Sequence, residues 1–269
     1  MADSRPIGVF DSGVGGLTVA RAILDQLPHE SMIYVGDAAH FPYGPRPVEE
    51  IRGFALEIAS HLVDRGVKLL VVACNSIEVS AIGDIAATHG VPVVGVVNPG
   101  ARAAIRATRS GVVGVIGTEA TIRTGAYQRA MGSSVTLLAA ACPVFVEHVE
   151  RGDTTSEELR RAARGYLAPL KEGGIDTLIL GCTHYPLLSG LLQMELGPDV
   201  VLVSSAEETA KDVYAQLLRD DGLAAGEGSP RHEFLTTGEA EPFRELADVF
   251  LGGELTHLRA SHLGARASA

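Results

Sequence analysis

The sequence predicts an α/β fold: two pseudo-symmetric, doubly wound parallel-sheet domains that face each other across a cleft. Three observations predict it. One stretch occurs twice, as GVKLLVVACNS at 66–76 and GIDTLILGCTH at 174–184. Each is a glycine, a Val/Ile/Leu run of strand length, and a cysteine. Continuous apolar runs of this kind mark central parallel strands, because helices cover both of their faces. Second, short apolar runs alternate with amphipathic stretches, the order that winds a parallel sheet. Third, the second half repeats the first at an offset of about 106–108 residues, the mark of an internal duplication.

The first strand, IGVF at 7–10, ends on Asp11 and Ser12. DSGVGGLT then leads into a helix on which Leu17, Ala20, Leu24 and Leu27 share a face. Gly13, Gly15 and Gly16 invite a dinucleotide reading, and Asp37, closing the strand MIYVGD, lies near the ribose-binding distance. Thr18 stands where the third glycine belongs, so these glycines are better read as a tight turn that brings backbone close to a ligand at a helix N-terminus. AAHFPYGPRP (38–47) is a loop punctuated by Pro and Gly, of a length that suits a substrate wall. Pro47 suits the first turn of the next helix, whose core stripe is Ile51, Phe54, Ala55, Ile58 and Leu62. The Cys74 strand, a helix and the strand VPVVGVV (91–97) complete the first half.

VVGVIGTEATI (112–122) overlies PIGVFDSGVGG (6–16), matching Gly117 and Thr118 to Asp11 and Ser12. VTLLAAA (135–141), the Cys182 strand and VVLVSS (200–205) match the remaining strands in turn. The two halves are expected to be related by a pseudo-twofold axis. After residue 206 come a helix, a Gly-rich loop (222–230), a short strand EFLTTG and a last helix buried through Phe243, Leu246, Phe250 and Leu251. This segment has no counterpart in the repeat. It is expected to complete the first domain, giving one domain of residues 1–97 with 208–269 and a second of 98–207. The tail RASHLGARASA is small and polar, and is expected to fray.

With 269 residues the chain has ample apolar content for a core. It shows no run of membrane-spanning length and no signal-peptide layout, so no membrane association is expected. Three cysteines without tight spacing argue against a disulfide framework or a metal site, and fit a reducing, cytoplasmic setting. The net charge of −11 argues against a nucleic-acid partner, but leaves room for a small anion held by backbone dipoles.

Singly, Cys74 and Cys182 read as buried thiols, since free cysteine is among the most buried residue types. Together they stand at the carboxyl ends of matching strands, where open α/β sheets place their ligands. A nucleophilic hydrolase uses one cysteine, and a redox pair needs sulfurs in bonding contact. Two bases on opposite faces of one carbon are what racemisation requires. Asp11 and Ser12 border the first thiol; Thr118 and His184 border the second. His184 is placed to relay the proton of Cys182, and Asp11 that of Cys74. A helix N-terminus after each cysteine would favour its thiolate. The three lysines, Lys68, Lys171 and Lys211, lie on a buried strand or on charged helical stretches, which disfavours a pyridoxal cofactor.

The stretches GVFDSGVGGLTV, GDAAHFPYG, ACNS, IGTEATI, CPVFVEHVERG and LGCTHYPLL resemble the motifs of bacterial glutamate racemases, in order and over nearly the whole chain. The resemblance implies a cofactor-independent isomerase that interconverts L- and D-glutamate for peptidoglycan synthesis. It implies that Cys74 takes the α-proton of D-glutamate and Cys182 that of L-glutamate, with Asp11 and His184 assisting. Asp37 and Glu150 match auxiliary positions. Ser12, Pro42, Tyr43, Gly44, Asn75, Ser76, Thr118, Thr121 and Thr183 match the substrate shell, and a homodimer is implied. Activator-dependent members carry an N-terminal extension; with about six residues before its first strand, this chain is expected to need no wall-precursor activator. Cys142 lies in a family motif without a mirrored partner and reads as buried and inert.

The chain departs from the family pattern at Ile77, Glu78 and Val79, where small residues are usual, and at Asn98, where Glu is common. Glu78 either faces the cleft, where it would repel an anionic substrate, or caps its own helix from N3 with Asn75 as N-cap; the cap is the favoured reading. Two rival functions stand beside glutamate racemisation. One is a racemase for aspartate or another amino acid; the other is a non-enzymatic partner-binding role.

Overall fold

The structure, a computed structural model, describes residues 3–226, 229–251 and 258–260. In chain order the first strands are β1 (Ile7–Asp11), β2 (Met32–Gly36), β3 (Leu69–Val72), β4 (Val93–Val94) and β5 (Val112–Gly117). They are followed by β6 (Thr136–Ala141), β7 (Thr177–Gly181), β8 (Val201–Val203), β9 (His232–Thr236) and β10 (Leu258–Ala260). The helices of the first half are α1 (Leu17–Gln26), α2 (Val48–Asp64), α3 (Asn75–Thr88) and α4 (Val97–Ala107). Those of the second are α5 (Glu119–Arg123), α6 (Ala126–Met131), α7 (Pro143–Glu150), α8 (Glu157–Glu172) and α9 (Ser189–Leu196), and α10 (Ala206–Arg219) and α11 (Ala240–Leu251) close the described chain.

Two all-parallel sheets result, one ordered β10-β9-β2-β1-β3-β4 and the other β6-β5-β7-β8. Without β9 and β10 the first reads 2-1-3-4, the same winding as the second, so the duplication seen in sequence is a duplication of topology. Register follows it: Ile7 pairs with Met32 and Leu69, and Val113 pairs with Leu137 and Thr177.

Side chains along each strand alternate between two cores, as a pleat of period two requires. Ile7, Val9, Met32, Tyr34, Leu69 and Val71 face α1 and α10, whereas Phe10, Ile33, Val35, Leu70 and Val72 face α2 and α3. The second sheet divides likewise, with Leu178 and Leu180 on one face and Ile179 on the other. The segment after residue 206 returns to the first sheet. Val213 and Leu217 of α10 pack with Leu17 and Ile23, and Phe243 of α11 lies 6.3 Å from Tyr34, ring to ring. The expected boundary at 207/208 falls within the first turn of α10. The side chain of Leu246 lies outside the described residues, while Phe243 and Leu251 are buried and Phe250 half-buried.

Several local expectations are corrected. Pro47 is the N-cap of α2 rather than a residue of its first turn, and Leu24 and Phe54 are only half-buried. The tail expected to fray from Arg259 begins inside β10; residues 261–269 lie outside the described residues. The run 91–97 yields a strand of two residues, because the chain turns at Gly95 and enters α4 at Val97.

Glu78 explains that turn, and it is not the cap the sequence suggested. Cys74, not Asn75, is the N-cap of α3. The Glu78 carboxylate reaches out of its helix and accepts the N–H groups of Val96 and Val97, the latter at 2.8 Å. It thus caps α4, the helix that leads out of the first half. A methyl group on Gly95 would lie 2.4 Å from the Glu78 carboxyl carbon, so the glycine makes the room. Burial pushes the Glu78 carboxyl up to about 7, against the pull of the two N–H bonds. A carboxyl raised in the folded state holds its proton while the unfolded chain releases it, so folding loses stability as pH climbs from about 4.5 to 7. Glu78→Gln lacks that loss. Its stability relative to the native chain, measured by chemical denaturation, is expected to rise by roughly 2–4 kcal/mol between pH 5 and pH 7 and then level off. A pH-independent difference would place the ionisation elsewhere.

Candidate active site

Both sheets change winding direction between their two central strands, β1 and β3 in one, β5 and β7 in the other. Such switch points open a crevice at the carboxyl strand ends. Asp11 closes β1 and Cys74 follows β3; Thr118 follows β5 and Cys182 follows β7. The two crevices face each other and form one cleft of about 700 Å³, lined by both thiols.

Cys74 is buried, its Sγ 3.5 Å from the Ser12 hydroxyl and bonded by the Ile77 N–H at the start of α3. Burial and then the neighbouring Asp11 carboxylate push its thiol up to about 12. Asp11 itself is fully buried and does not line the cleft. One of its oxygens accepts the Gly13 N–H at 2.9 Å and the other the Thr183 hydroxyl at 3.1 Å, a bond between the two halves. Burial raises the Asp11 carboxyl, and the charge on His184 draws it partly back.

On the opposite wall, Cys182 Sγ lies 3.8 Å from His184 Nδ1, and His184 Nε2 lies 2.6 Å from Glu150 Oε1 at the end of α7. Burial opposes charge on this imidazole. Cys182 and Glu150, one at each ring nitrogen, outweigh it and raise His184 to about 10. The two thiols therefore stand in unlike settings. One has a buried carboxylate as neighbour, the other an imidazolium backed by a carboxylate.

Ser12, Pro42, Tyr43, Gly44, Asn75, Ser76, Thr118, Thr183 and His184 all line the cleft. Thr121 lies behind, its hydroxyl 3.0 Å from that of Thr118, which is 2.9 Å from that of Ser76, a hydroxyl chain joining the halves. Asp37 is not in the cleft. It is buried behind Tyr43, whose hydroxyl it accepts along with that of Thr237 (2.6 Å), and His40 Nδ1 lies 2.9 Å away. Its place is to hold the 38–47 loop as a wall. Cys142 is buried at the N-cap of α7, its thiol raised by burial, and its carbonyl accepts the Tyr185 hydroxyl at 2.8 Å.

The sequence reading missed Phe41, Pro45, Glu119, Pro143, Val146 and Glu147 on the cleft walls. Phe41 and Pro45 belong to the loop already marked as a wall, and the others lie within the motifs IGTEATI and CPVFVEHVERG, where nothing singles them out. The glycine turn was also misassigned in part. A methyl group on Gly15 would lie 2.5 Å from His184 Nδ1, so this backbone approaches a side chain of the other half rather than a ligand. That packing leaves no phosphate cradle at Gly15. Among the described residues, no cluster of His, Cys, Asp and Glu has the make-up of a metal cage, and no helix is long and apolar enough to cross a membrane. Among the described residues no lysine or arginine lines the cleft, and His184 supplies a cation there.

Comparison with known proteins agrees with this geometry. A family model described as Asp/Glu/Hydantoin racemase matches residues 7–230. A glutamate racemase of Parafrankia sp. is 55% identical over 93% of this chain and 92% of its own. Among solved structures, a glutamate racemase isoform of Bacillus anthracis superposes with a TM-score of 0.90 at 42% identity, covering 96% of this chain and 97% of that one. The Francisella tularensis glutamate racemase in complex with D-glutamate gives 0.91 at 33% identity, covering 98% and 100%. Matched sheets, paired strand-end thiols and likeness along almost the full length show that the chain belongs to the Asp/Glu/hydantoin racemase family and is a racemase.

Proposed function

We propose that the protein interconverts L- and D-glutamate by proton transfer between Cys74 and Cys182, and so supplies D-glutamate for peptidoglycan. The observation that carries this reading is that thiols from mirrored strand ends line opposite walls of one cleft. The glutamate racemase activity of the relatives and the D-glutamate held by the Francisella enzyme support glutamate as substrate.

In the L-to-D direction the Cys182 thiolate, beside the His184 imidazolium, takes the α-proton and becomes a thiol. The Cα–H electron pair stays on the substrate as a carbanion. Cys74 enters as a neutral thiol, as its raised pKa requires at neutral pH, and gives its proton to the opposite face. D-glutamate leaves behind a Cys74 thiolate and a Cys182 thiol, which is the form that D-glutamate needs for the reverse reaction. Return to the starting form moves one proton to Cys74, with Asp11 beside it, and one from Cys182 through His184. Ser12, Asn75, Ser76, Thr118 and Thr183, with the wall of Pro42, Tyr43 and Gly44, form the substrate shell, and Thr121 supports it from behind through the Thr118 hydroxyl. Neutral donors and backbone N–H groups suit a carboxylate here, since a buried donor left unpaired is costly.

The test is α-proton exchange in deuterated water with glutamate, aspartate, alanine and glutamine. Inverted product carrying one α-deuteron is expected with glutamate, at a rate well above the rest. Faster exchange of another amino acid would move the substrate assignment, and no exchange in any would sink the reaction.

A further inference from the structure

Tyr127 is absent from every motif that pointed to the site, yet it touches the neighbours of both thiols. It opens the second turn-and-helix unit of the second half, one residue into α6, and is buried. Its ring lies against Gly181, the residue before Cys182: a methyl group there would meet ring Cε2 at 3.1 Å. Its hydroxyl accepts the side-chain N–H of Asn75, the residue after Cys74, at 2.9 Å. Gly100 of α4 closes the far side, at 3.5 Å from the hydroxyl by the same measure.

From this we infer that Tyr127 is a positioning residue for racemisation, a strut that sets the Asn75 amide and the spacing of the two thiol-bearing strand ends; the inference rests on the proposed two-thiol reaction. Asn75 lines the cleft and is the first residue of α3. Its amide has two N–H groups and one oxygen. With one N–H held by Tyr127, the amide plane is fixed and its remaining groups are directed by the protein rather than by solvent. A buried, hydrogen-bonded amide held this way costs the substrate no ordering when it binds. The ring contact acts on the other wall, because Gly181 cannot shift without carrying Cys182 with it. Burial also raises the Tyr127 phenol, which stays neutral throughout the working pH range.

A tyrosine that merely filled the core would affect stability alone. The test is therefore kinetic. Tyr127→Phe keeps the ring and deletes the bond to Asn75. It is expected to raise KM about fivefold for both enantiomers, the factor that one hydrogen bond of ordinary strength commands. The primary α-deuterium isotope effect is expected to change in the same sense with L- and D-glutamate, because a strut serves both thiols. In an Asn75→Ala background the same change at Tyr127 is expected to cost less than twofold, since the group through which it acts is gone. Asn75→Ala alone is expected to raise KM at least as much as Tyr127→Phe, which keeps the test decisive if the Phe variant folds poorly. Unchanged KM and isotope effects in Tyr127→Phe, equal cost in both backgrounds, or normal KM in Asn75→Ala would each overturn the inference. The native protein run in parallel separates the two readings. If it fails to exchange glutamate, the proposed reaction falls and the inference with it; if it turns over normally while the variants show no effect, the strut alone is wrong.

Discussion

Cys74→Ala and Cys182→Ala are each expected to lower glutamate racemisation by at least about 10³-fold. General acid–base groups contribute typically 10²–10⁴-fold apiece, and neither wall of the cleft offers a substitute at the same place. In the L-to-D direction, losing Cys182 removes the base and losing Cys74 removes the acid. The reverse direction exchanges those roles. Enantiomers have equal free energy, so kcat/KM must fall by the same factor in both directions for any variant; differences between directions belong to kcat and KM separately. Exchange without inversion gives a sharper readout. Cys74→Ala keeps the Cys182–His184–Glu150 chain, and is expected to wash deuterium into L-glutamate faster than into D-glutamate. Cys182→Ala is expected to show the opposite preference. Near-normal racemisation by either variant would mean that the two thiols are not the two bases.

What the sequence disclosed, and what it withheld, follows from how each feature is encoded. The central strands were legible because both of their faces are buried, which writes an unbroken apolar run such as LLVV at 69–72. The pairing of Cys74 with Cys182 was legible because duplication placed them at equal depth in two copies. Glu78 was not, although its position was flagged. Local spacing suggested a cap on its own helix, but the nearest open N–H groups belong to α4, across a turn that only Gly95 leaves clear. Tyr127 gave no sign at all. A buried tyrosine on a short helix has the same local pattern whether it fills a core or bridges two walls. For Asp37 the motif match supplied an auxiliary position but not its place, since only the folded loop shows the carboxylate held behind Tyr43.

Gly15→Ala is expected to reduce kcat/KM by roughly 10²-fold or more, the scale of losing one proton-transfer partner. The added carbon would lie 2.5 Å from both His184 Nδ1 and Thr183 Oγ1, and 2.6 Å from His184 Cε1. Real carbon atoms do not approach so closely, so either the turn or these side chains must move. His184 has little freedom to yield. Glu150 holds its far nitrogen at 2.6 Å, and the rings of Phe41 and Phe250 stand 5.9 and 6.5 Å away. Thr183 is tied to Asp11. Relief comes from separating His184 from Cys182, already 3.8 Å apart, from breaking the Thr183–Asp11 bond between the halves, or from moving the turn, which pulls on Asp11 through the Gly13 N–H. Each outcome disturbs a thiol's proton path. Gly53→Ala is the matching control: it lies on the exposed face of α2, with no atom within 4 Å of the added methyl. It is expected to gain about 0.5–1 kcal/mol of stability at unchanged activity, since alanine is the better helix former. Activity near the native level in Gly15→Ala would show that close packing of this turn against His184 and Thr183 is not needed for turnover.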